Sequence, residues 1–162
     1  MEDIIDPNVK SAIEAAARSL ARCEQCRASL ERKLLQKEFS DETIKTALNF
    51  LESKKYLDDE RYASFWVRTR CAFKPRGSAR LINELCSRGI SKEIAKKAVS
   101  SYFEQVDEEE LCLEAYKKLL LKNKTEQKII KSLADSGFSY KIIKSVLRSH
   151  FSNNEGLDDV TE

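Results

Sequence analysis

Basic residues are concentrated in one stretch near the middle of this 162-residue chain. Between positions 61 and 88 there are seven lysines and arginines and a single acidic residue, Glu84. The seven are Arg61, Arg68, Arg70, Lys74, Arg76, Arg80 and Arg88. Because a guanidinium group binds phosphate or carboxylate through paired N–H donors, this cluster predicts a surface for an anionic partner. The alternative is that these charges only solubilise exposed helices, which is how we interpret the lysines at 117, 118, 122 and 124.

Residue types that support catalysis are present, but not in the patterns that catalysis needs. Cys23 and Cys26 form a lone C-x-x-C, and no second pair of cysteines or histidines completes a zinc site. His150 is the only histidine and has no recognisable nucleophile, while Asp58 and Asp59 fit a helix start. With no glycine-rich phosphate loop either, we predict no catalytic residue, no metal, no cofactor and no enzymatic activity.

The charge distribution along the chain also points to an anionic partner. The formal net charge is only +2, but residues 17–103 carry +8 and residues 111–151 carry +6. The connector at 104–110 carries −5, and the ends, 1–16 and 152–162, carry −3 and −4. Two basic bodies separated by an acidic connector predict an anionic partner for the bodies more than for the whole molecule.

Composition constrains the fold class and the compartment. The chain is 41% hydrophobic and 35% charged, with only four glycines and two prolines, which favours long helices over sheets. Its start, Met1-Glu2-Asp3, is acidic and no apolar signal segment follows. We therefore predict a cytoplasmic protein, not associated with a membrane, with its five cysteines reduced.

An internal repeat predicts how the elements are arranged. Residues 30–48, 81–99 and 129–147 align without gaps, and each segment has the pattern of two helices joined by a tight corner. Serine N-caps are predicted at Ser40, Ser91 and Ser139.

The corners end in glycine in two of the three copies. Gly89 and Gly137 occupy the position where a helix ends in the left-handed conformation, whereas the first copy has Glu38 there. Apolar residues flank each serine cap at the spacing of a hydrophobic staple, for example Phe39 with Ile44.

A further helix precedes each pair. Its predicted starts are Asp6-Pro7, Asp58-Asp59-Glu60 and Glu108-Glu109-Glu110. The sequence therefore predicts an all-α fold of three tandem three-helix repeats. The predicted segments are an N-terminal extension at 1–16 that runs into a first helix starting near 7, repeat 1 at 17–57, repeat 2 at 58–103, the acidic connector with repeat 3 at 104–151, and an acidic disordered tail at 152–162.

Aromatic residues follow the second predicted start. Tyr62, Phe65, Trp66 and Thr69 have helical spacing, which predicts that they share one face directed to the core. The alternative is that the rings stack on nucleic-acid bases.

The sequence resembles the RecX family, which regulates the RecA recombinase. The resemblance covers roughly residues 17–151 and is most specific in the middle repeat. Its residues there are Tyr56-Leu57-Asp58-Asp59-Glu60-Arg61-Tyr62-Ala63, Lys74-Pro75-Arg76-Gly77, Glu84-Leu85 and Arg88-Gly89-Ile90-Ser91.

The resemblance implies a partner and a role. Family members bind the filament that RecA forms on single-stranded DNA and suppress strand exchange and coprotease activity, in homologous recombination, DNA repair and the SOS response. Their body is an elongated, curved array of helical repeats in the filament groove. The implied partners are thus the RecA filament and the DNA phosphate backbone. We expect the seven basic residues to form the contact surface. Separately, the acidic connector at 104–110 favours a monomer.

A second function remains open from the residues. Each corner between two helices also resembles a helix-turn-helix, which would make the protein a direct, sequence-nonspecific DNA-binding protein of tandem helix-turn-helix-like units.

Overall fold

The fold was analysed in a computed structural model that describes residues 6–122 and 125–154, with side chains up to residue 150. This part of the chain contains nine α-helices and no strand, so the predicted all-α repeated fold is confirmed. The helices are α1 (Pro7–Leu20), α2 (Arg27–Leu35), α3 (Asp41–Ser53), α4 (Asp59–Phe73), α5 (Ser78–Ser87), α6 (Lys92–Phe103), α7 (Glu108–Leu120), α8 (Glu126–Asp135) and α9 (Tyr140–Asn154).

Side-chain caps start the helices where the sequence predicts them. Helix α1 begins at Pro7, and Asp6 Oδ1 accepts a hydrogen bond of 2.7 Å from the amide two residues on. Ser40, Ser91 and Ser139 each accept one of 3.3 Å from the amide three residues on. These bonds satisfy amides that have no partner within the helix, and they confirm the three serine caps.

The three corners share one backbone conformation. Gly89 and Gly137 both have φ of +93°, as the pattern of glycines predicts. Glu38 has φ of +64° at the matching position of the first corner. The first corner therefore keeps the geometry of the other two although it has a side chain where they have none.

The ends of the chain fall largely outside the described residues. Residues 1–5 of the predicted extension and residues 155–162 of the predicted tail are in that undescribed part. Helix α9 continues to Asn154, into the segment predicted as tail. None of the helices in the described part combines the length and the apolar character needed to span a bilayer.

The chain divides into two compact units. The first unit contains the chain up to Phe65 together with Leu85–Ala95, and the second contains Trp66–Glu84 and the chain from Lys96 onward. Helices α4, α5 and α6 therefore each contribute residues to both units.

Each unit has a core of aliphatic side chains. In the first unit α1 packs on α3 and α2 around Leu30, Leu34 and Leu48, which are fully buried. In the second unit α7 packs on α9 and α8 around Leu133 and Ile143. These large apolar side chains supply most of the favourable free energy of burial.

Helix α4 buries a different face from the one predicted. Its buried residues include Tyr62, Ala63, Val67 and Cys71, whereas the side chain of Phe65 is 47% exposed. The predicted stripe of Tyr62, Phe65, Trp66 and Thr69 was therefore wrong in part. The buried face follows the four-residue spacing of Ala63, Val67 and Cys71, because small side chains allow close packing.

One capping contact recurs between successive repeats. Asp59, in the first turn of α4, accepts a 2.8 Å hydrogen bond from the amide of Arg27 at the start of α2. Glu108, in the first turn of α7, accepts a 2.7 Å hydrogen bond from the amide of Ser78 at the start of α5. In both cases a carboxylate from one repeat stabilises the positive end of a helix in the preceding repeat.

The predicted cap at Asp58 is also present. Asp58 Oδ1 accepts a 3.0 Å hydrogen bond from the amide of Arg61, in the first turn of its own helix. Burial raises the pKa of Asp59 more than the hydrogen bond from Arg27 lowers it. Adjacent aspartates thus cap two different helices.

Candidate functional site

The loop between α4 and α5 is fixed on the corner between α8 and α9. The Gly77 amide donates a 2.9 Å hydrogen bond to the carbonyl of Ser136. A Cβ atom on Gly77 would lie 2.2 Å from the carbonyl carbon of Gly137, so only glycine allows this approach. Pro75, in the same loop, is buried. The backbone of the loop is therefore held in a defined position.

This loop forms one wall of a cleft of about 420 Å³ in the second unit. The other walls are the end of α7 and the end of α8. Five basic side chains and one acidic side chain line it: Lys74, Arg76, Arg80, Lys118, Lys122 and Asp135. We call this feature the basic cleft. Its charge composition gives a positive local potential that attracts an anion.

Arg80 is held in the basic cleft from two sides. Its Nε donates to Glu84 at 2.6 Å, and its Nη1 donates to the carbonyl of Asp135 at 2.6 Å. Glu84 also accepts a 3.1 Å hydrogen bond from Arg70. Burial alone would raise the pKa of Glu84, but the hydrogen bond from Arg80 and the charge of Arg70 outweigh burial and lower this pKa.

Arg76 is the buried cation of the basic cleft. Its side chain is 8% exposed, and its Nε has no hydrogen-bond partner among the described residues. Burial and the nearby charge of Arg80 lower the pKa of Arg76. An N–H that is buried without a hydrogen-bond partner costs free energy.

The seven basic residues predicted as one surface are divided between the two units. Arg61 and Arg88 belong to the first unit and the other five to the second. Arg61 forms a 2.8 Å ion pair with Glu24 and donates hydrogen bonds to two carbonyls after the end of α3. Arg88 is hydrogen-bonded to Tyr62. Both of these arginines therefore make contacts within the protein.

The remaining predicted residues extend along α4. Arg68 and Arg70 are exposed, and the Arg70 guanidinium lies 5.9 Å from the ring centre of the half-buried Trp66. Of the seven, the structure places Lys74, Arg76 and Arg80 together in the basic cleft.

Sequence reasoning missed the other two cations of the cleft. Lys118 and Lys122 belong to the cluster that we interpreted as solubilising charge, and the structure places both on the cleft wall. Their four-residue spacing, which puts them on one side of the end of α7, was the available signal. Lys124 of that cluster lies outside the described residues.

The cysteines and the histidine do not form a reactive site in the described part of the chain. All five cysteines are unpaired, and among the described residues no group of three or more cysteine, histidine or acidic side chains could hold a metal ion. His150 packs edge to face on Tyr116, with 5.1 Å between ring centres.

Fold and cleft together define a class of protein, the helical-repeat proteins, here with a basic cleft in the second unit. Comparison with known proteins identifies the family. Two family models match, described as the first three-helix domain of RecX, at residues 12–51, and the second, at residues 58–99. The chain belongs to the RecX family.

Full-length relatives extend the match beyond these two domains. The chain is 33% identical over 132 residues to the regulatory protein RecX of Treponema pallidum strain Nichols, covering 82% of this chain and 80% of that protein. It is 31% identical over 153 residues to the regulatory protein RecX of Prosthecochloris aestuarii, covering 91% of this chain and 99% of that protein. These names support a regulatory role.

A solved structure shows the same fold. The crystal structure of RecX from Lactobacillus salivarius superposes with a TM-score of 0.78 and 25% identity, covering 88% of this chain and 96% of that one. The tandem three-helix architecture is therefore that of solved RecX proteins.

Proposed function

We propose that this protein regulates the RecA recombinase, mainly as an inhibitor. In this proposal it binds the groove of the RecA filament on single-stranded DNA and suppresses strand exchange and coprotease activity. Membership of the RecX family supports a regulatory role. We further propose that it acts in the cytoplasm, as a monomer and without enzymatic activity of its own.

The observation that carries the proposal is the basic cleft, with five cations against one carboxylate around about 420 Å³. A filament groove that contains DNA phosphates and acidic side chains would attract such a surface over several ångströms, and salt would weaken the attraction. Arg76 adds a buried donor without a partner among the described residues.

In this proposal the main contact surface is the basic cleft, and the other predicted arginines make secondary contributions. Arg68 and Arg70 are exposed on α4, and in the proposal they contact the DNA phosphate backbone. Arg61 and Arg88 were predicted as part of the surface, and in the proposal they contribute charge in addition to their contacts with Glu24 and Tyr62.

A charge-matched pair of variants tests this assignment. The cleft variant carries Lys74→Gln, Lys118→Gln and Lys122→Gln, all at exposed positions. The control variant carries Lys10→Gln, Lys37→Gln and Lys45→Gln, three exposed lysines of the first unit. Both variants lose three positive charges, so any difference between them reports where the charges lie.

The measurement is fluorescence anisotropy of labelled protein with RecA filaments across a salt series. We expect the cleft variant to bind at least about tenfold more weakly, with a salt dependence shallower by about 2 in log–log slope. Inhibition of RecA strand exchange should fall in parallel. Equal binding by the cleft and control variants would overturn the assignment of the interface.

The same titration on naked DNA distinguishes RecA filament binding from the second function, direct sequence-nonspecific DNA binding. The exposed start of α6 carries Lys92 and Lys96, which suit phosphates, but it lacks the asparagine, glutamine or arginine that reads base edges. Equal or tighter binding to naked single or double strands than to the filament would favour this second function and remove RecA as the partner.

A further inference from the structure

Phe73 is an aromatic side chain that the protein leaves in water. It is the last residue of α4, and its side chain is 85% exposed, more than that of any other large aromatic residue described. Single exposed apolar residues are common and need no explanation alone. The surroundings of this one indicate a use.

The ring is attached to a segment that is held in place. Lys74, the next residue, lines the basic cleft, and Pro75 after it is buried. Gly77 ends the loop with its hydrogen bond to Ser136. Because the backbone on both sides of Phe73 is held, a ligand that covers the ring orders only this side chain and not the loop.

The same combination of an exposed apolar residue followed by a cation that lines the cleft occurs at the end of α7. Leu121, directly after α7, is also 85% exposed, and Lys122 follows it and lines the basic cleft. Exposed apolar surface therefore stands next to cleft cations on two walls. A ligand that fits this arrangement has flat apolar groups linked at short intervals to anionic groups.

We propose that Phe73 and the basic cleft form a binding site for single-stranded DNA, in which the ring stacks on a base and the cleft holds an adjacent phosphate. Single strands expose base faces, whereas a duplex covers them in its own stack. An acidic peptide would use the cations but has no flat face for the ring. Lys74 and the guanidinium of Arg76, both of which line the cleft, are the phosphate donors.

This inference rests on the proposed function, because it supplies a contact to the single strand inside the filament. It also goes further, since it assigns base stacking to one residue and makes a prediction for DNA without RecA. Loss of base stacking by Phe73 and loss of RecA binding would be seen in different measurements, one on naked strands and one on filaments.

The experiment compares Phe73→Ala with Tyr56→Ala, which removes an exposed aromatic side chain of the first unit, outside the basic cleft. Each protein is titrated with an oligothymidylate and with an abasic strand of the same length and charge. We expect Phe73→Ala to weaken binding to the oligothymidylate by about 5- to 100-fold and to leave binding to the abasic strand unchanged. Tyr56→Ala should change both by less than about twofold, and Phe73→Tyr should restore binding.

Several outcomes would overturn the proposal. No loss of binding with Phe73→Ala, or an equal loss on both strands, would rule out stacking. This holds even if the cleft variant still binds the filament more weakly. Competition by free thymidylate as effective as that by the strand would make this a site for a mononucleotide. Matching thermal melts of the three variants would show that the folded fraction does not cause the difference.

Discussion

Glu38 shows how a single residue can keep a fold while costing it stability. The three corners need a left-handed residue, and glycine supplies it at Gly89 and Gly137, whereas Glu38 adopts φ of +64° with a full side chain. For a non-glycine residue that conformation costs about 1–2 kcal/mol, because Cβ approaches the following carbonyl.

We predict that Glu38→Gly stabilises the protein by about 0.5–1 kcal/mol, the strain relieved less the extra entropy of glycine in the unfolded chain. Urea unfolding measures the change. Glu31→Gly, at an exposed position inside α2, is the control and should destabilise by about 1 kcal/mol. A loss of stability in Glu38→Gly as large as that of the control would contradict the strain.

Glu84 gives a pH dependence at the same scale. Its pKa in the folded protein is lowered from 4.5 because Arg80 and Arg70 favour the charged form. A lowered carboxyl pKa contributes stability above about pH 4.5, and this contribution is lost as the pH falls through the folded-state pKa.

We predict that Glu84→Gln lowers the free energy of unfolding by about 1 kcal/mol at about pH 7 and by much less at about pH 3. Urea unfolding at both pH values provides the measurement. Glu31→Gln, an exposed glutamate on α2, should show no such convergence with the wild type. A deficit that is equally large in acid would mean that Glu84 acts through packing and not through its charge.

At the scale of elements, local signals predicted helix starts and corners well. The Asp6-Pro7 pair, the serine caps and the corner glycines each act within a few residues, so their chemistry can be read along the chain. The buried face of α4 could not be read in this way. A hydrophobic pattern read from the sequence gives most weight to the large aromatic rings. The helix instead buries Ala63, Val67 and Cys71, because the neighbouring elements determine which face is covered.

The contact between Gly77 and the α8–α9 corner also depends on the tertiary structure, and it gives a prediction for an element. A methyl group at Gly77 would lie 2.2 Å from the backbone of Gly137, so either the loop or the corner must move. We predict that Gly77→Ala destabilises the protein by about 2 kcal/mol and weakens filament binding, because Lys74 and Arg76 shift with the loop.

Thermal unfolding and filament anisotropy measure these two effects. The control is Lys74→Ala in the same loop, an exposed residue whose replacement should change the free energy of unfolding by less than about 0.5 kcal/mol. Wild-type stability in Gly77→Ala would mean that the loop tolerates displacement and does not position the cations.

At the scale of the whole molecule, the basic cleft shows what sequence reasoning can and cannot assemble. The cations at 74, 76 and 80 are close in the chain and were found as a group. Lys118 and Lys122 join them only through the tertiary structure. Helix α7 packs on α8, and the end of α8 and the α4–α5 loop line the same cleft. The cluster at 61–88 is continuous in sequence, yet its first and last members belong to a different compact unit.

The five cysteines allow local stability to be compared across both units. Cys23 is exposed, whereas Cys26 in the first unit and Cys71 and Cys112 in the second are buried. Burial and the charges of nearby glutamates raise the pKa of Cys112 to about 12. Only about one in ten thousand of these thiols is therefore in the reactive thiolate form at about pH 8. A buried thiol reacts with an alkylating agent only when its surroundings open.

We predict that iodoacetamide labels Cys23 first and Cys112 last under native conditions, as mass spectrometry of peptides from a time course would show. Gly77→Ala should accelerate labelling of Cys71, because the neighbouring Arg76 amide donates a hydrogen bond to that thiol. It should leave Cys26 unchanged, since Cys26 belongs to the first unit and the altered loop to the second. Equal acceleration of Cys26 and Cys71 would show instead that the loop substitution acts by unfolding the whole chain, with no local opening of the second unit.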